Sequence, residues 1–150
     1  ALIYAAKAAR TPYQTPAGPD VTSLSVLPTE VTPGGLVLLT AVVDDTRYSS
    51  RNGSESVQEV AAAEYYLDIP PWVTDPPANA QPMTAVDGSF DQPVETVQAA
   101  VDTGHLSAGR HIVWVRGQDA AGHWGAFSAV FLSVGNAGQT TYLPLAVKSK

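Results

Sequence analysis

The sequence predicts an all-β domain, an antiparallel sandwich of two sheets with about seven strands. From Val21 onward, short runs rich in β-branched residues alternate with clusters of Pro, Gly, Asn and Asp, which is the pattern of strands joined by turns. No long helical segment separates these runs, and the 150 residues suffice for one domain with a buried core. Such a pattern is typical of immunoglobulin-like and fibronectin-like sandwiches.

Seven segments carry the strand pattern. In the sixth, alternation places His111, Val113 and Val115 on one face and Ile112, Trp114 and Arg116 on the other. Both faces are partly apolar, so this segment is predicted to be a central strand. The predicted strands cover residues 21–27, 36–44, 61–68, 81–86, 96–102, 110–117 and 126–134.

The flanks of the sandwich have a different composition. Residues 1–10 are strong helix formers and predict a short N-terminal helix, and the next ten residues hold three prolines. Residues 1–20 are therefore interpreted as a helix and a Pro-rich linker from an upstream domain, and 21–134 as the sandwich. For the tail, 135–150, two alternatives stay open: an added edge strand over 141–147, or a sorting or anchoring signal.

Composition excludes several classes of function. The net charge is −6 and only 8 Lys and Arg are scattered along the chain, so no basic face for nucleic acid is expected. No apolar run approaches the length of a membrane span. The absence of Cys excludes disulfides, thiolate zinc sites and a cysteine nucleophile.

Catalytic motifs are missing from the sequence. The three histidines, His105, His111 and His123, do not form a close metal-ligand pair, and there is no nucleophile elbow or phosphate-binding glycine loop. His111 on a strand face is interpreted as a satisfied core or rim residue. The fragment is therefore predicted not to be an enzyme, with no cofactor of its own.

Calcium is the metal that the sequence favours, because acidic residues follow several predicted strands. Loops at one end of a sandwich converge, and calcium prefers oxygen ligands gathered on loops. The alternative is that these side chains cap turns by bonding to their own backbone. The candidate calcium ligands are Asp44, Asp45, Asp87, Asp91 and Asp119.

Aromatic side chains offer a second kind of site. Trp72, Trp114 and Trp124, with Tyr65 and Tyr66 nearby, are candidates for a platform that binds a sugar or a peptide. The alternative is that large aromatics in a small sandwich are buried plugs. Trp72 in particular is expected to pin the Pro-rich connector.

The segment RGQDAAGHWG, residues 116–125, combines residue types found in active sites with those of a tight turn. We interpret it as the turn that links the last two core strands, shaped by Asp119, Gly122 and Gly125. Trp124 is expected to plug the hairpin. Surface or rim positions are predicted for Arg116 and His123.

The segment HLSAGRHIVWVRGQDAAGHWGAFSAVFLSV resembles the last hairpin of bacterial immunoglobulin-like domains. Together with LIYAAKAARTPYQTPAGPD, VVDDTRY, AAAEYYLDIPPWV and MTAVDGSFDQPVE, it is similar to the domain that follows the catalytic unit in secreted bacterial zinc carboxypeptidases of the carboxypeptidase A-like family. The resemblance implies a secreted parent enzyme whose zinc ligands lie upstream of Ala1. The family's H-x-x-E motif matches nothing here, so no catalytic residue is implied.

These observations predict a non-catalytic accessory domain that packs on or positions a secreted zinc metallocarboxypeptidase. Its partner would be the upstream peptidase domain of the same chain, which alone would hold Zn²⁺. Two alternatives are a module that binds carbohydrate or a cell-surface polymer, and a calcium-stabilised adhesion or linker domain.

Overall fold

The computed structural model describes residues 18–47, 55–74 and 77–135. The predicted helix at 1–10, most of the predicted linker and the possible edge strand at 141–147 lie outside these residues. Within them the only helix is a single 3-10 turn at Pro71–Val73. No helix in this part of the chain is long and apolar enough to cross a membrane.

In the described residues, nine strands form two sheets. One sheet has four strands in the order β1-β3-β7-β6, and the other has five in the order β2-β9-β8-β4-β5. All neighbours are antiparallel except β2 and β9, which are parallel. The strands are β1 (Asp20–Leu27), β2 (Glu30–Val31), β3 (Leu36–Asp44), β4 (Val60–Leu67), β5 (Gln81–Pro82), β6 (Thr84–Ala85), β7 (Val94–Asp102), β8 (Gly109–Asp119) and β9 (Ser128–Val134).

The predicted all-β sandwich is confirmed. The strand order is that of an immunoglobulin-like domain, in which the first, second, fourth and fifth main strands form one sheet and the others form its partner. Six of the seven predicted segments match β1, β3, β4, β7, β8 and β9 to within two residues at each end.

The predicted strand at 81–86 is wrong as one element. Gln81–Pro82 pairs with β4 in the five-stranded sheet, whereas Thr84–Ala85 pairs with β7 in the other. The chain changes sheets at Met83, which is 3% exposed and donates its N–H to the carbonyl of Ala63 at 2.9 Å. Because a buried side chain anchors the crossing, two short strands replace one.

The core lies between the sheets and follows the predicted alternation. In β8, His111, Val113 and Val115 point inward, and the intervening side chains point outward, as predicted. The apolar side chains that face each other are mostly valine, which suits a pleated surface buried on one side. Fully buried examples are Val37, Leu39, Val43, Val60, Val97, Val101, Val113, Val115 and Leu132.

Candidate functional site

The outer face of the five-stranded sheet carries the aromatic cluster, which we define as Tyr66, Trp72, Trp114, Trp124 and Phe127 around Arg116 and Glu64. The register of β4 and β8 creates it, since Glu64 lies opposite Arg116 and Tyr66 opposite Trp114. Side chains directly opposite on one face of an antiparallel pair are in contact. The cluster therefore follows from how these two strands pair.

Arg116 is the centre of the aromatic cluster. Its Nε donates to Oε2 of Glu64 at 2.9 Å, and its Nη2 donates to the Tyr66 hydroxyl at 3.1 Å. The guanidinium lies 4.1 Å from the ring centre of Trp124 and 5.0 Å from that of Phe127. Guanidinium groups stack well on aromatic faces. Arg116 lies on the outer face, which agrees with the predicted surface or rim position, although its side chain is only 15% exposed.

Tyr66 shows that this outer face is shielded from solvent. The side chain is 1% exposed although it lies outside the core, and its hydroxyl donates to Oε2 of Glu64. Burial, the hydrogen bond to Glu64 and the charge of that carboxylate raise the pKa of Tyr66 to about 12, against the opposing effect of Arg116. Tyr66, Arg116 and Glu64 thus form one satisfied polar network beneath the aromatic rings.

The three predicted tryptophans lie on one face, but their rings are not coplanar. Trp72 meets Trp114 edge to face, with ring centres 4.8 Å apart and planes at 79°. Trp114 and Trp124 are half-buried, and Trp72 is 61% exposed. Of the three rings, only that of Trp72 is open enough for a ligand to stack on it. A sugar-binding platform that uses all three tryptophans stays a prediction.

Trp114 also leaves a buried donor unsatisfied. Its Nε1 is buried and has no hydrogen-bond partner among the residues that the structure describes. An unpaired buried donor costs about 1–3 kcal/mol. Trp72, which belongs to the 3-10 turn Pro71–Val73, packs against the ring of Trp114. This contact pins the Pro-rich connector, as expected.

The sequence pointed to the tryptophans but missed Glu64 and Phe127. Phe127 precedes β9, with its ring centre 5.9 Å from that of Tyr66 and 5.9 Å from that of Trp72. Alternation along β4 puts Glu64 and Tyr66 on the same face, and this pattern could have identified Glu64 as part of the cluster. Their partners depended on the register with β8, which the sequence does not give.

The acidic end of the sandwich, where β3 and β8 finish and β7 begins, holds the predicted calcium ligands. Asp119 is 3% exposed, and its Oδ1 accepts the N–H groups of Ala121 and His123, each at 2.9 Å. Oδ2 lies 3.2 Å from Nδ1 of His123. Asp119 therefore closes the turn after β8, as the interpretation of RGQDAAGHWG stated.

Asp45 and Asp44 also hold backbone groups. Asp45 is 9% exposed, and its Oδ2 accepts the N–H of Gln58 at 2.6 Å. Burial raises the pKa of Asp45; the Gln58 hydrogen bond opposes this, and the nearby charges of Asp119, Glu55 and Asp44 add to it. Asp44 accepts the N–H and the hydroxyl of Thr46. Both carboxylates are thus engaged in closing the loop after β3.

The remaining candidates lie in the turn between β6 and β7. Oδ1 of Asp87 accepts the N–H of Ser89 at 3.2 Å. Asp91 contributes its own N–H, which donates to the buried Glu95 at 2.9 Å. In the described part of the chain, no three His, Cys, Asp or Glu side chains are grouped as a metal site. Calcium stays a prediction, and turn capping accounts for these contacts without it.

The opposite end, which we call the histidine end, is organised by His111 at the start of β8. Nδ1 of His111 lies 2.6 Å from Oδ2 of Asp68, and Nε2 lies 2.8 Å from the carbonyl oxygen of Ser107. Both partners are acceptors, so both nitrogens donate only when the ring is protonated. Burial lowers the pKa of His111, but Asp68 and the Ser107 carbonyl outweigh it and raise the pKa above its ordinary value.

His111 occupies the place of the tyrosine corner of immunoglobulin domains. There a side chain near the start of the same strand bonds to the backbone a few residues upstream. His111 does this to Ser107 and adds an ion pair with Asp68, which follows β4. The expectation that His111 is a satisfied core or rim residue is confirmed, and its 7% exposure places it in the core.

A cleft of about 630 Å³ opens beside this histidine. Its walls come from the end of β4, from β5 and from the loop between β7 and β8. The sequence gave no signal for it, since its polar residues are far apart along the chain. They are Tyr65, Asp68, Asn79, Gln81, Asp102, His105, Ser107 and His111.

Comparison with solved structures supports the fold. A chain from the structures of Clostridium thermocellum CbhA fibronectin(III)-like modules superposes with a TM-score of 0.51 at 13% identity, over 85% of this chain and 52% of that chain. This chain thus spans about half the length of that neighbour. At such identity the likeness shows the fold alone.

Two further neighbours are more distant. The alkylpurine DNA glycosylase AlkC of Pseudomonas fluorescens has a TM-score of 0.47 at 13% identity, over 79% of this chain and 31% of that chain. The SrpA adhesin of Streptococcus sanguinis has a TM-score of 0.43 at 15% identity, over 83% and 58% respectively. No protein-family model and no curated protein sequence matches the chain.

Proposed function

We propose that this chain is a non-catalytic accessory domain of a secreted zinc metallocarboxypeptidase and that it contacts the peptidase domain through the exposed edge of the aromatic cluster. The observation that carries the interaction role is the exposure of Trp72 and Val73, each 61%, in the 3-10 turn that packs on Trp114 of the outer sheet face. Exposed apolar side chains that adjoin one another mark interaction surfaces. The identity of the parent enzyme rests on the sequence resemblance.

The path of the chain supports this surface. A Cβ atom on Gly18 would lie 2.4 Å from the backbone of His123, Trp124 and Gly125, so the first described residue packs directly beside the aromatic cluster. Gly125 is as tightly packed, because a Cβ there would lie 1.7 Å from the carbonyl oxygen of Pro19. The described chain therefore begins beside the backbone of Trp124.

The first test concerns the parent. The coding sequence before Ala1 is expected to contain H-x-x-E and a later His, and the chain 1–150 is expected to release no C-terminal residue from peptides, with or without zinc. An upstream sequence that lacks this motif, or chelator-sensitive turnover by the chain itself, would contradict the proposal.

The second test concerns the surface. In the full polypeptide, Trp72→Ala is expected to speed thermal inactivation of the peptidase, while the unfolding free energy of the chain 1–150 changes by no more than about 1 kcal/mol. The matched control is Leu36→Ala, because Leu36 is 74% exposed on the outer face of the other sheet. Equal inactivation rates for the two variants would show that the aromatic cluster is not the contact.

A further inference from the structure

The cleft at the histidine end has walls that are fixed before any ligand arrives. Asp68 bonds to Ile112 through both its backbone N–H, at 2.9 Å, and its Oδ1, at 3.1 Å, as well as to the ring of His111. The loop between β7 and β8, which supplies another wall, is anchored at the buried Thr103, whose hydroxyl donates to the carbonyl of Gly35 at 2.6 Å. Walls held in this way lower the entropic cost of binding.

The polar groups that face the cleft both donate and accept hydrogen bonds. Asn79 and Gln81 present amides, and His105 presents an imidazole. All three residues are exposed, and none of the three side chains has a hydrogen-bond or ionic partner within the described ranges. Asp102 uses Oδ1 to accept the N–H of Gly104 at 2.8 Å, which leaves Oδ2 for a ligand. Hydroxyl groups likewise donate and accept, so they match this mixture.

The rest of the lining is apolar. Leu67, Ile69 and Leu106 line the cleft between the polar groups. A volume of about 630 Å³ lies within the range of about 300–1,000 Å³ that is usual for sites of small ligands. Apolar walls with a few placed polar groups suit a ring that has C–H faces and hydroxyl edges.

We infer that this cleft binds a sugar unit of a glycan, with Asn79, Gln81 and Asp102 hydrogen-bonded to neighbouring hydroxyl groups. This inference does not depend on the parent enzyme. It also moves carbohydrate recognition away from the tryptophans, whose edge-to-face packing leaves no shared flat surface.

A cationic ligand fits the cleft less well. Asp68 is paired with His111 at 2.6 Å, and its charge is balanced when that ring is protonated, which leaves Asp102 as the one carboxylate among the lining residues without a cationic partner. A single exposed carboxylate attracts a cation by only about 0–1 kcal/mol. The side-chain N–H groups of Asn79 and Gln81 would also face a cation, which offers them no hydrogen-bond acceptor.

The test is a titration of the ¹⁵N-labelled chain 1–150, followed by NMR. The probes are hexamers of β-1,4-linked glucose and of β-1,4-linked N-acetylglucosamine, soluble peptidoglycan fragments, and lysine amide as the cationic probe. We expect at least one sugar probe to shift the side-chain amides of Asn79 and Gln81 and the backbone amides of 103–107. The double variant Asn79→Gly, Gln81→Ala is expected to weaken binding about tenfold, a loss measurable in the millimolar range.

The double variant keeps the backbone intact, since Asn79 has φ of 63°, a conformation that glycine adopts freely. The matched control is Gln92→Ala, an exposed glutamine at the acidic end, which is expected to bind as the parent chain does. Three results would overturn the inference: no shift with any sugar probe up to about 10 mM, shifts with lysine amide alone, or sugar-induced shifts at the indole of Trp72 instead of at the cleft.

Discussion

The two ends of the sandwich use acidic side chains in different ways. At the acidic end, Asp119 and Glu95 are each 3% exposed, and both accept backbone N–H groups from the turn that they close. At the histidine end, Asp68 is half-exposed and pairs with His111, while Asp102 keeps one oxygen for the cleft. Acidic side chains thus hold turns in place at one end, whereas at the other end a carboxylate oxygen is available to a ligand.

This difference separates structural from functional polar groups in a chain without recognisable motifs. A buried carboxylate with backbone partners serves the fold, because removing it strands those N–H groups away from water. A polar group that lines a fixed cleft without a partner gains by binding a ligand. Counting carboxylates in the sequence does not distinguish these cases; their hydrogen bonds do.

The largest effect is expected from breaking the acidic end. Asp119→Ala removes the buried carboxylate that accepts the N–H groups of Ala121 and His123 and holds the turn after β8. We expect the free energy of unfolding, measured with urea, to fall by about 2–4 kcal/mol. The control is Asp87→Ala in an exposed turn, with an expected loss of under about 1 kcal/mol. Equal losses would mean that burial does not decide the role of these carboxylates.

A smaller, pH-dependent effect is expected at the histidine end. The pKa of His111 is raised in the folded state, chiefly by Asp68, although burial opposes it. Its contribution is therefore complete below the ordinary histidine pKa of about 6.5 and is lost as the pH rises through the folded pKa. We expect the free energy of unfolding to be lower at pH 8 than at pH 6.

The variant Asp68→Asn isolates the origin of this slope. It keeps an acceptor for the N–H of Ile112 but removes the charge that favours the protonated ring of His111. We expect the decrease between pH 6 and pH 8 to shrink markedly, as also in His111→Phe. A slope that persists in both variants would assign the pH dependence to another group.

The length of each strand decided whether it could be predicted from the sequence. Strands of seven or more residues were predicted because alternation over that length is a strong signal. The two-residue strands β2, β5 and β6 have no period to detect, and their pairing depends on the neighbouring sheet. Secondary structure was thus predictable where it was long.

The sites were less predictable, because each depends on contacts between distant residues. Arg116 meets Glu64 across 52 positions, and His111 meets Asp68 across 43. Register between strands is set by packing, and a shift of one residue would move every side chain to the other face. The sequence therefore identified the tryptophans by residue type, but neither the ion pair beneath them nor the cleft.

The smallest effect is expected from calcium, and this measurement sharpens the contrast between the two ends. Asp44, Asp45 and Asp119 already accept backbone N–H groups, so we expect the same melting temperature in EDTA and in excess calcium. An ion at 100 times its Kd would add about 2.7 kcal/mol, and each kcal/mol shifts the melting temperature by about 2–4 °C or more in a domain of this size. A rise of that size, abolished by Asp119→Asn, would establish the calcium site and show that the acidic end also binds a ligand.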